Sequence, residues 1–326
     1  ATPYTVNEKG YGPAWNNSLF EDNAEFGYGM ALAQDAIRGR LSEYVENIEA
    51  QSGDEALKAA CKAYLDTAKD SGANREATDK LITELEKAAK GSGDVAELAK
   101  KTLKDKDYLA KKSMWIFGGD GWAYDIGYGG LDHVLASGEN VNVFVFDTEV
   151  YSNTGGQASK STPMGSVAQF AATGKATKKK DLPGMAMTYG YVYVAHVAMG
   201  ADYNQCIKAI AEAESYDGPS LIIGYAPCIN QGIKGGMSIA MLEEKKAVAA
   251  GYWKNFRYDP RLALEGKNPL QLDSKAPSAS YRDFIMGEVR YNSLTRAFPD
   301  RAEKLFTKAE EDAMADYAHL EKMSKL

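Results

Sequence analysis

Cysteine, histidine and long apolar runs are scarce in this sequence. It has only three cysteines, Cys61, Cys206 and Cys228, among 326 residues, and their wide separation excludes a disulfide framework. Free cysteines are typical of a reducing compartment, so we expect a cytoplasmic protein. No apolar stretch approaches the roughly 18 residues that a membrane helix needs, and the N-terminal residues lack the basic and apolar parts of a signal peptide. We therefore expect no membrane partner.

An excess of basic residues is also absent. The chain has 45 acidic and 38 basic residues, a formal charge of −7 and a pI near 5.2, which argues against nucleic-acid binding. The short run Lys178-Lys179-Lys180 is expected to be a solvated turn. With 44% hydrophobic residues, the chain has enough apolar side chains for a large core.

Strand-like and helix-like segments alternate between residues 114 and 225. The sequence predicts strands at 114–117, 141–146, 191–196 and 220–225, and helices at 124–136 and 203–215. Such alternation is typical of a doubly wound, mostly parallel sheet. We therefore predict an α/β fold of this type.

Helical patterns flank the predicted sheet on both sides. Residues 18–21, Ser-Leu-Phe-Glu, have the pattern of a capping box, which predicts a helix from residue 19 past residue 37. Residues of about 40–112 are rich in Ala, Glu, Lys and Leu and predict a helical insertion. A helical C-terminal part is expected over about 256–326. Because the chain begins with Ala1 rather than methionine, we expect a piece of a longer polypeptide.

Two oxygen-rich loops follow the first two predicted strands. The first strand leads into Gly118-Gly119-Asp120-Gly121, and the second leads into a polar, glycine-rich segment at 147–157. Open α/β sheets bind ligands at the carboxyl ends of their strands, so both loops can face one site. Mg²⁺ accepts carboxylate, hydroxyl and carbonyl oxygens together with phosphate and water. A Gly-Asp-Gly tripeptide is also common in ordinary tight turns, so the residues alone leave that alternative open.

These motifs carry a resemblance to a known family. Gly-Asp-Gly followed by a strand and an Asn-containing loop resembles the diphosphate motif of thiamine-diphosphate enzymes. More specifically, segments 119–133, 147–157 and 18–25 resemble the pyruvate:ferredoxin oxidoreductases, and the resemblance extends over essentially the whole chain. It implies that residues 1–326 are the diphosphate-anchoring, thiamine-diphosphate-binding domain from the C-terminal portion of that enzyme, including the helical insertion and the helical C-terminal part.

The resemblance also implies the site residues. Asp120, Thr148 and the backbone carbonyl of Val150 match the Mg²⁺ ligands, and Thr148 stands where the general thiamine motif usually has Asn. Asn153 matches the residue that faces the thiazolium ring and the bound oxo acid, so it is the implied catalytic residue. Without the resemblance, an ordinary loop in which Thr148 and Asn153 cap local backbone explains them equally well. The implied cofactor-binding residues are Gly119, Asp120, Gly121, Thr148, Val150, Asn153 and Gly155.

Cys228 lies in a loop with proline and glycine nearby, just beyond a predicted strand. A lone cysteine is most often a small buried hydrophobe. The resemblance instead implies that Cys228 is one ligand of a [4Fe-4S] cluster near the thiamine, with the other three ligands supplied by sequence before Ala1. Cys61 and Cys206 lie in helical patterns and are interpreted as structural.

The implied function is the oxidative decarboxylation of pyruvate to acetyl-CoA and CO₂, with electrons passing to ferredoxin or flavodoxin. The implied partners are pyruvate, coenzyme A, the electron carrier, the remaining domains of the same enzyme, and a second copy in a homodimer. The carboxylate that activates the aminopyrimidine is expected from another domain. Two alternatives stay open: a non-redox thiamine-diphosphate decarboxylase or transketolase-like enzyme, and a non-catalytic Rossmann-like binding module.

Overall fold

The computed structural model describes residues 6–8, 10 and 12–326. The expectation drawn from Ala1 therefore lies outside the described residues. The chain divides into two compact units. The sheet unit comprises the described residues up to Phe26 together with Trp115–Leu326, and the helical unit comprises Gly27–Met114. None of the described helices combines the length and apolarity that a membrane span requires.

The helical unit consists of helices joined by short turns. The boundary between the units falls within α1 (Asn23–Gln51), which is followed by α2 (Glu55–Asp66), α3 (Ser71–Ala88) and α4 (Asp94–Lys104). Aspartate side chains cap two helix starts, because Asp54 accepts hydrogen bonds from the first backbone amides of α2 and Asp70 accepts one in α3. The apolar faces form one core, whose large members include Leu41, Val45, Ile48, Leu57, Tyr64, Leu81 and Leu85.

The sheet unit contains a six-stranded sheet with the order β1-β2-β4-β3-β5-β6. The strands are β1 (Trp115–Gly119), β2 (Asn142–Asp147), β3 (Tyr193–Val197), β4 (Ser220–Tyr225), β5 (Phe256–Tyr258) and β6 (Leu270–Leu272). The first four run parallel, whereas β5 and β6 pair antiparallel at one edge. The predicted α/β class with a mostly parallel sheet is thus confirmed.

Helices connect and cover the strands of this unit. A π-helical turn, Gly121–Ile126, follows β1 and precedes the first of these helices. The α-helices are α5 (Tyr128–Ala136), α6 (Leu182–Met187), α7 (Tyr203–Ser215), α8 (Ala240–Ala249), α9 (Pro260–Leu264), α10 (Tyr281–Ile285), α11 (Val289–Ala297) and α12 (Pro299–Met323). The central strands β3 and β4 are buried along their whole length, as expected for a parallel sheet covered on both faces.

Two local predictions were wrong. The capping box at residues 18–21 does not start a helix, since α1 begins at Asn23 and the Ser18 hydroxyl lies 3.3 Å from the Asn23 side chain. The C-terminal part is not helical throughout, because β5 and β6 lie within 256–272. The reason is tertiary: β5 pairs with β3, which buries Phe256 against the ring of His196.

Candidate functional site

The loops after β1 and β2 meet at the carboxyl edge of the sheet. The two strands are parallel neighbours, and Gly119 lies opposite Phe146 in their register, so both loops leave the sheet at the same level. Gly121 lets them approach, because a Cβ atom there would lie only 2.6 Å from the ring of Tyr151. The close contact explains why this position requires glycine.

The structure brings Asp120, Thr148 and Val150 together. Thr148 Oγ1 lies 2.8 Å from Asp120 Oδ1 and 2.9 Å from the backbone oxygen of Val150. The Thr148 amide also donates to Asp120 Oδ1 at 3.1 Å. One carboxylate oxygen, one hydroxyl and one carbonyl from two loops therefore converge on one point.

The donor set fits a hard divalent cation. All of the converging atoms are oxygens, which Mg²⁺ prefers, and one carboxylate leaves room in the shell for phosphate and water. In the described part of the chain, no three His, Cys, Asp or Glu residues cluster in a way that could hold a metal ion. The candidate metal site is therefore the set of carboxylate, hydroxyl and carbonyl oxygens around Asp120. It does not resemble a zinc site, which is built mainly from His and Cys.

Asp120 is poised to receive positive charge. It is 1% exposed, and burial together with the neighbouring carboxylate of Asp147 raises the pKa of Asp120 to about 7. Hydrogen bonds from Ser159 and Thr148 oppose that rise without cancelling it. A bound cation would reverse the effect, because it stabilises the ionised carboxylate.

Ser159 and Asp147 also belong to this site, although sequence reasoning did not identify them. The Ser159 hydroxyl donates to Asp120 Oδ2 at 2.6 Å, so each carboxylate oxygen of Asp120 has a partner. Asp147 is fully buried and accepts from the Tyr124 hydroxyl at 2.9 Å. It also pairs with Lys179 Nζ at 2.7 Å. The charge of Asp147 is therefore compensated by Lys179, and its contacts stabilise the loop that follows β2.

The expectation for the basic run was wrong for Lys179. Its side chain is only 22% exposed, because it lies between Asp147 and Glu149 rather than in solvent. Lys178 is exposed and pairs with Asp316 at 2.6 Å. No local sequence signal separates the two lysines, since their difference depends on carboxylates about thirty residues earlier.

Asn153 and Gly155 lie at the tip of the second loop. A β-bridge between Tyr151 and Gln157 closes this loop, and Gly155 adopts φ +127°, which a side chain would disfavour. Asn153 is exposed, and its side chain makes no hydrogen bond to any described residue. Its amide is therefore free to bind a ligand, although no contact joins it directly to Asp120.

Cys228 lies beside the same loop. Its sulfur is 3.0 Å from the Ser152 hydroxyl, and the backbone and side-chain nitrogens of Asn230 approach it at 3.5 and 3.4 Å. The other two cysteines are buried in α2 and α7, and burial raises both thiol pKa values, that of Cys61 to about 12. Only Cys228 therefore combines a loop position with N–H donors around its sulfur.

Comparison with known proteins shows which proteins the chain is similar to. Residues 96–223 match the family described as the thiamine pyrophosphate enzyme, C-terminal TPP binding domain. The whole chain is 59% identical to part of the pyruvate:ferredoxin oxidoreductase of Moorella thermoacetica, and 99% of it is 53% identical to part of a pyruvate-flavodoxin oxidoreductase of Klebsiella pneumoniae. The mitochondrial pyruvate dehydrogenase (NADP+) of Euglena gracilis is 49% identical over 98% of the chain.

The chain is related along its whole length to part of the pyruvate:ferredoxin (flavodoxin) oxidoreductases. This relationship confirms the resemblance seen in the sequence. The chain spans only 28%, 27% and 18% of the length of the three relatives. Most of each of these oxidoreductases thus lies outside the chain.

Proposed function

We propose that this chain binds the diphosphate of thiamine diphosphate through Mg²⁺ within a pyruvate:ferredoxin or pyruvate:flavodoxin oxidoreductase. One observation carries the proposal. The Thr148 hydroxyl lies 2.8 Å from Asp120 Oδ1 and 2.9 Å from the Val150 carbonyl oxygen, so three oxygen donors converge. Asp120 supplies the only negative charge of the three ligands. A dication held by one carboxylate keeps a net positive charge, which attracts a diphosphate.

The residues around the ion have separate tasks in this proposal. Gly119 presents backbone without a side chain, so a diphosphate can approach closely, and Gly121 leaves room for the ring of Tyr151 beside the site. When bound, thiamine diphosphate supplies the nucleophilic carbon that decarboxylation of a 2-oxo acid requires. The free amide of Asn153 donates a hydrogen bond to the oxo acid, and Gly155 supplies the positive φ that the loop tip adopts.

We further propose that Cys228 is one of four ligands of a [4Fe-4S] cluster that takes electrons from the thiamine site. The amide nitrogens of Asn230 near its sulfur support this role, because hydrogen bonds to cluster sulfurs tune the potential. A non-redox thiamine enzyme needs no such ligand. The remaining three ligands, and the carboxylate for the aminopyrimidine, belong to the rest of the full-length enzyme.

The whole enzyme converts pyruvate and coenzyme A to acetyl-CoA and CO₂ in this proposal, and passes electrons to ferredoxin or flavodoxin. It works as a homodimer in the cytoplasm. Within it, residues 1–326 are the diphosphate-anchoring domain, with a helical insertion at about 40–112 and a C-terminal part from about 256. The names of the bacterial relatives support the reaction and the carriers.

Calorimetric titration of thiamine diphosphate into the metal-depleted full-length enzyme, with and without Mg²⁺, tests the site. Asp120→Ala should abolish Mg²⁺-dependent binding, whereas Thr148→Val should weaken it less because it removes a neutral oxygen. Thr148→Ser is the matched control, since it keeps the hydroxyl and should bind nearly as wild type. Unchanged affinity in folded Asp120→Ala would refute the metal assignment.

A further inference from the structure

Glu149 lies between two of the proposed Mg²⁺ ligands, Thr148 and Val150, yet its own side chain is 1% exposed and contacts a different set of residues. Its carboxylate pairs with Lys179 Nζ at 3.1 Å and with Arg290 Nη2 at 2.7 Å. It also accepts from the Tyr252 hydroxyl at 2.6 Å. We call these four residues the Glu149 anchor.

The backbone of Glu149 is held in a strained conformation. Its φ is +61°, a left-handed value that only one other described non-glycine residue, Phe170, shares. Such a conformation persists only where the surroundings determine it fully. At Glu149 they do so, since its amide donates to Asp147 Oδ1 at 3.1 Å and its carbonyl accepts from the Thr162 hydroxyl at 2.5 Å.

The left-handed turn decides where the next residue goes. A right-handed conformation at position 149 would redirect the chain at Val150, whose carbonyl now lies 2.9 Å from the Thr148 hydroxyl. The Glu149 carbonyl meanwhile bonds to Thr162, outside the ligand set. The turn therefore separates two consecutive carbonyls, so that only the Val150 carbonyl would be available to an ion beside Asp120.

The anchor ties this turn to the C-terminal elements of the sheet unit. Tyr252 follows α8 and Arg290 belongs to α11. Arg290 is itself fixed, because its Nε bonds to Glu288 at 2.7 Å and its carbonyl accepts from the Val167 amide at 2.8 Å. The carboxylate of Glu149 is thus paired with an arginine whose own position is fixed by other contacts.

We propose that Glu149 is a positioning residue for the cofactor site, and that its ion pairs with Lys179 and Arg290 hold the left-handed turn that aims the Thr148 hydroxyl and the Val150 carbonyl at the metal beside Asp120. The inference rests on the proposed function, since it concerns the same ion. It assigns a role to the charged groups of Glu149, Lys179 and Arg290, which lie outside the proposed ligand set.

The test measures binding of thiamine diphosphate and Mg²⁺ to the full-length enzyme by calorimetry, with thermal unfolding measured in parallel. Glu149→Gln should weaken the Mg²⁺-dependent affinity at least tenfold. Tyr252→Phe removes the hydroxyl that bonds to the Glu149 carboxylate but leaves both ion pairs of Glu149, so it should weaken the affinity by a smaller factor. Asp273→Asn is the matched control. It neutralises another ion-paired carboxylate, which is 18% exposed and lies 2.9 Å from Arg257, and should lower the unfolding temperature without changing the affinity.

Glu149→Gly separates the anchor from simple backbone preference. Glycine adopts positive φ more readily than glutamate. If backbone preference alone held the turn, the Glu149→Gly enzyme should therefore bind thiamine diphosphate and Mg²⁺ as tightly as wild type. The anchor predicts that this variant binds at least tenfold more weakly. Wild-type affinity in Glu149→Gln or Glu149→Gly would overturn the inference, as would equal losses in Asp273→Asn. If Asp120→Ala bound as wild type, the proposed function itself would fail instead.

Discussion

The helical unit and the sheet unit are stabilised in different ways. In the helical unit, ion pairs join exposed side chains on neighbouring turns, such as Lys58 with Glu55 and Lys100 with Glu97, and the core is mostly aliphatic. The sheet unit has exposed pairs too, such as Lys178 with Asp316, but near the candidate site it buries charged groups in pairs, as Arg290 with Glu149 and with Glu288. Burying charge costs energy that surface pairs avoid. The buried pairs lie beside the candidate site, where they fix the position of the Glu149 carboxylate at some expense in stability.

Cysteine substitution gives the sharpest contrast between the units. In the full-length enzyme, Cys228→Ser should remove the cluster near the thiamine, and reduction of ferredoxin or flavodoxin should fall to background. Cys61→Ser in the helical unit and Cys206→Ser in α7 should leave the iron content unchanged, because both thiols are buried among apolar side chains. Iron and sulfide analysis checks all three. A full complement of iron in Cys228→Ser would remove this residue from the ligand set.

The core of the helical unit should matter for stability alone. Leu81 is fully buried in it, so Leu81→Ala should lower the free energy of unfolding of this chain by about 2–5 kcal/mol. Chemical denaturation followed by circular dichroism measures the loss. The comparison predicts no change in the affinity of the folded full-length variant for thiamine diphosphate. A matching loss of cofactor affinity would show that the units are energetically coupled.

Asn153→Ala should affect the reaction rather than the anchoring of the cofactor. Because its exposed amide is assigned to the oxo acid, we expect kcat/KM for pyruvate to fall about 10- to 100-fold, equivalent to roughly 1.4 to 2.7 kcal/mol of transition-state stabilisation. Binding of thiamine diphosphate should stay within about twofold. Steady-state kinetics and calorimetry separate the two effects. Equal loss of cofactor affinity would move Asn153 to the diphosphate side of the site.

Because of Lys254 in the sheet unit, we expect the free energy of unfolding to rise between about pH 8 and pH 10.5. Burial lowers the pKa of Lys254 to about 8, below its usual value near 10.5. The folded state thus disfavours the charged form, and the penalty is fully present below pH 8 and disappears as pH rises towards 10.5. Lys254→Met should gain stability relative to wild type at pH 7, and the gain should shrink at pH 9.5. Urea unfolding at both values measures the difference.

A partly exposed ion pair in the helical unit should contribute little to stability. Lys87 and Glu84 lie 2.7 Å apart on neighbouring turns of α3, and the lysine is 64% exposed. Removing it by Glu84→Gln should change the free energy of unfolding by only about 0.2–0.5 kcal/mol, and less at high salt. Denaturation in low and high salt checks this. A loss above 1 kcal/mol would contradict the view that surface pairs of this unit are marginal.

The elements that the sequence predicted best are those fixed by local pattern. The predicted strand at 220–225 and helix at 203–215 match β4 and α7 to the residue. The capping box at residues 18–21 shows the limit of such patterns, because the helix that it predicts begins only at Asn23 and Phe20 remains 42% exposed. The strands β5 and β6, three residues each, are too short for periodicity to reveal.

The sequence by itself determined the α/β class and the position of Asp120 at a strand end, since these depend on short-range pattern, whereas Thr148 and Val150 were proposed as oxygen donors through the family resemblance. Only the tertiary structure decided which charges support the site. Arg290 lies 141 positions from Glu149, and Tyr252 lies 103 positions away. Contacts over such distances arise when the folded sheet brings remote segments together, and neither charge type nor spacing encodes them locally. Lys179 is a further example, because only the folded structure places it between the buried carboxylates of Asp147 and Glu149.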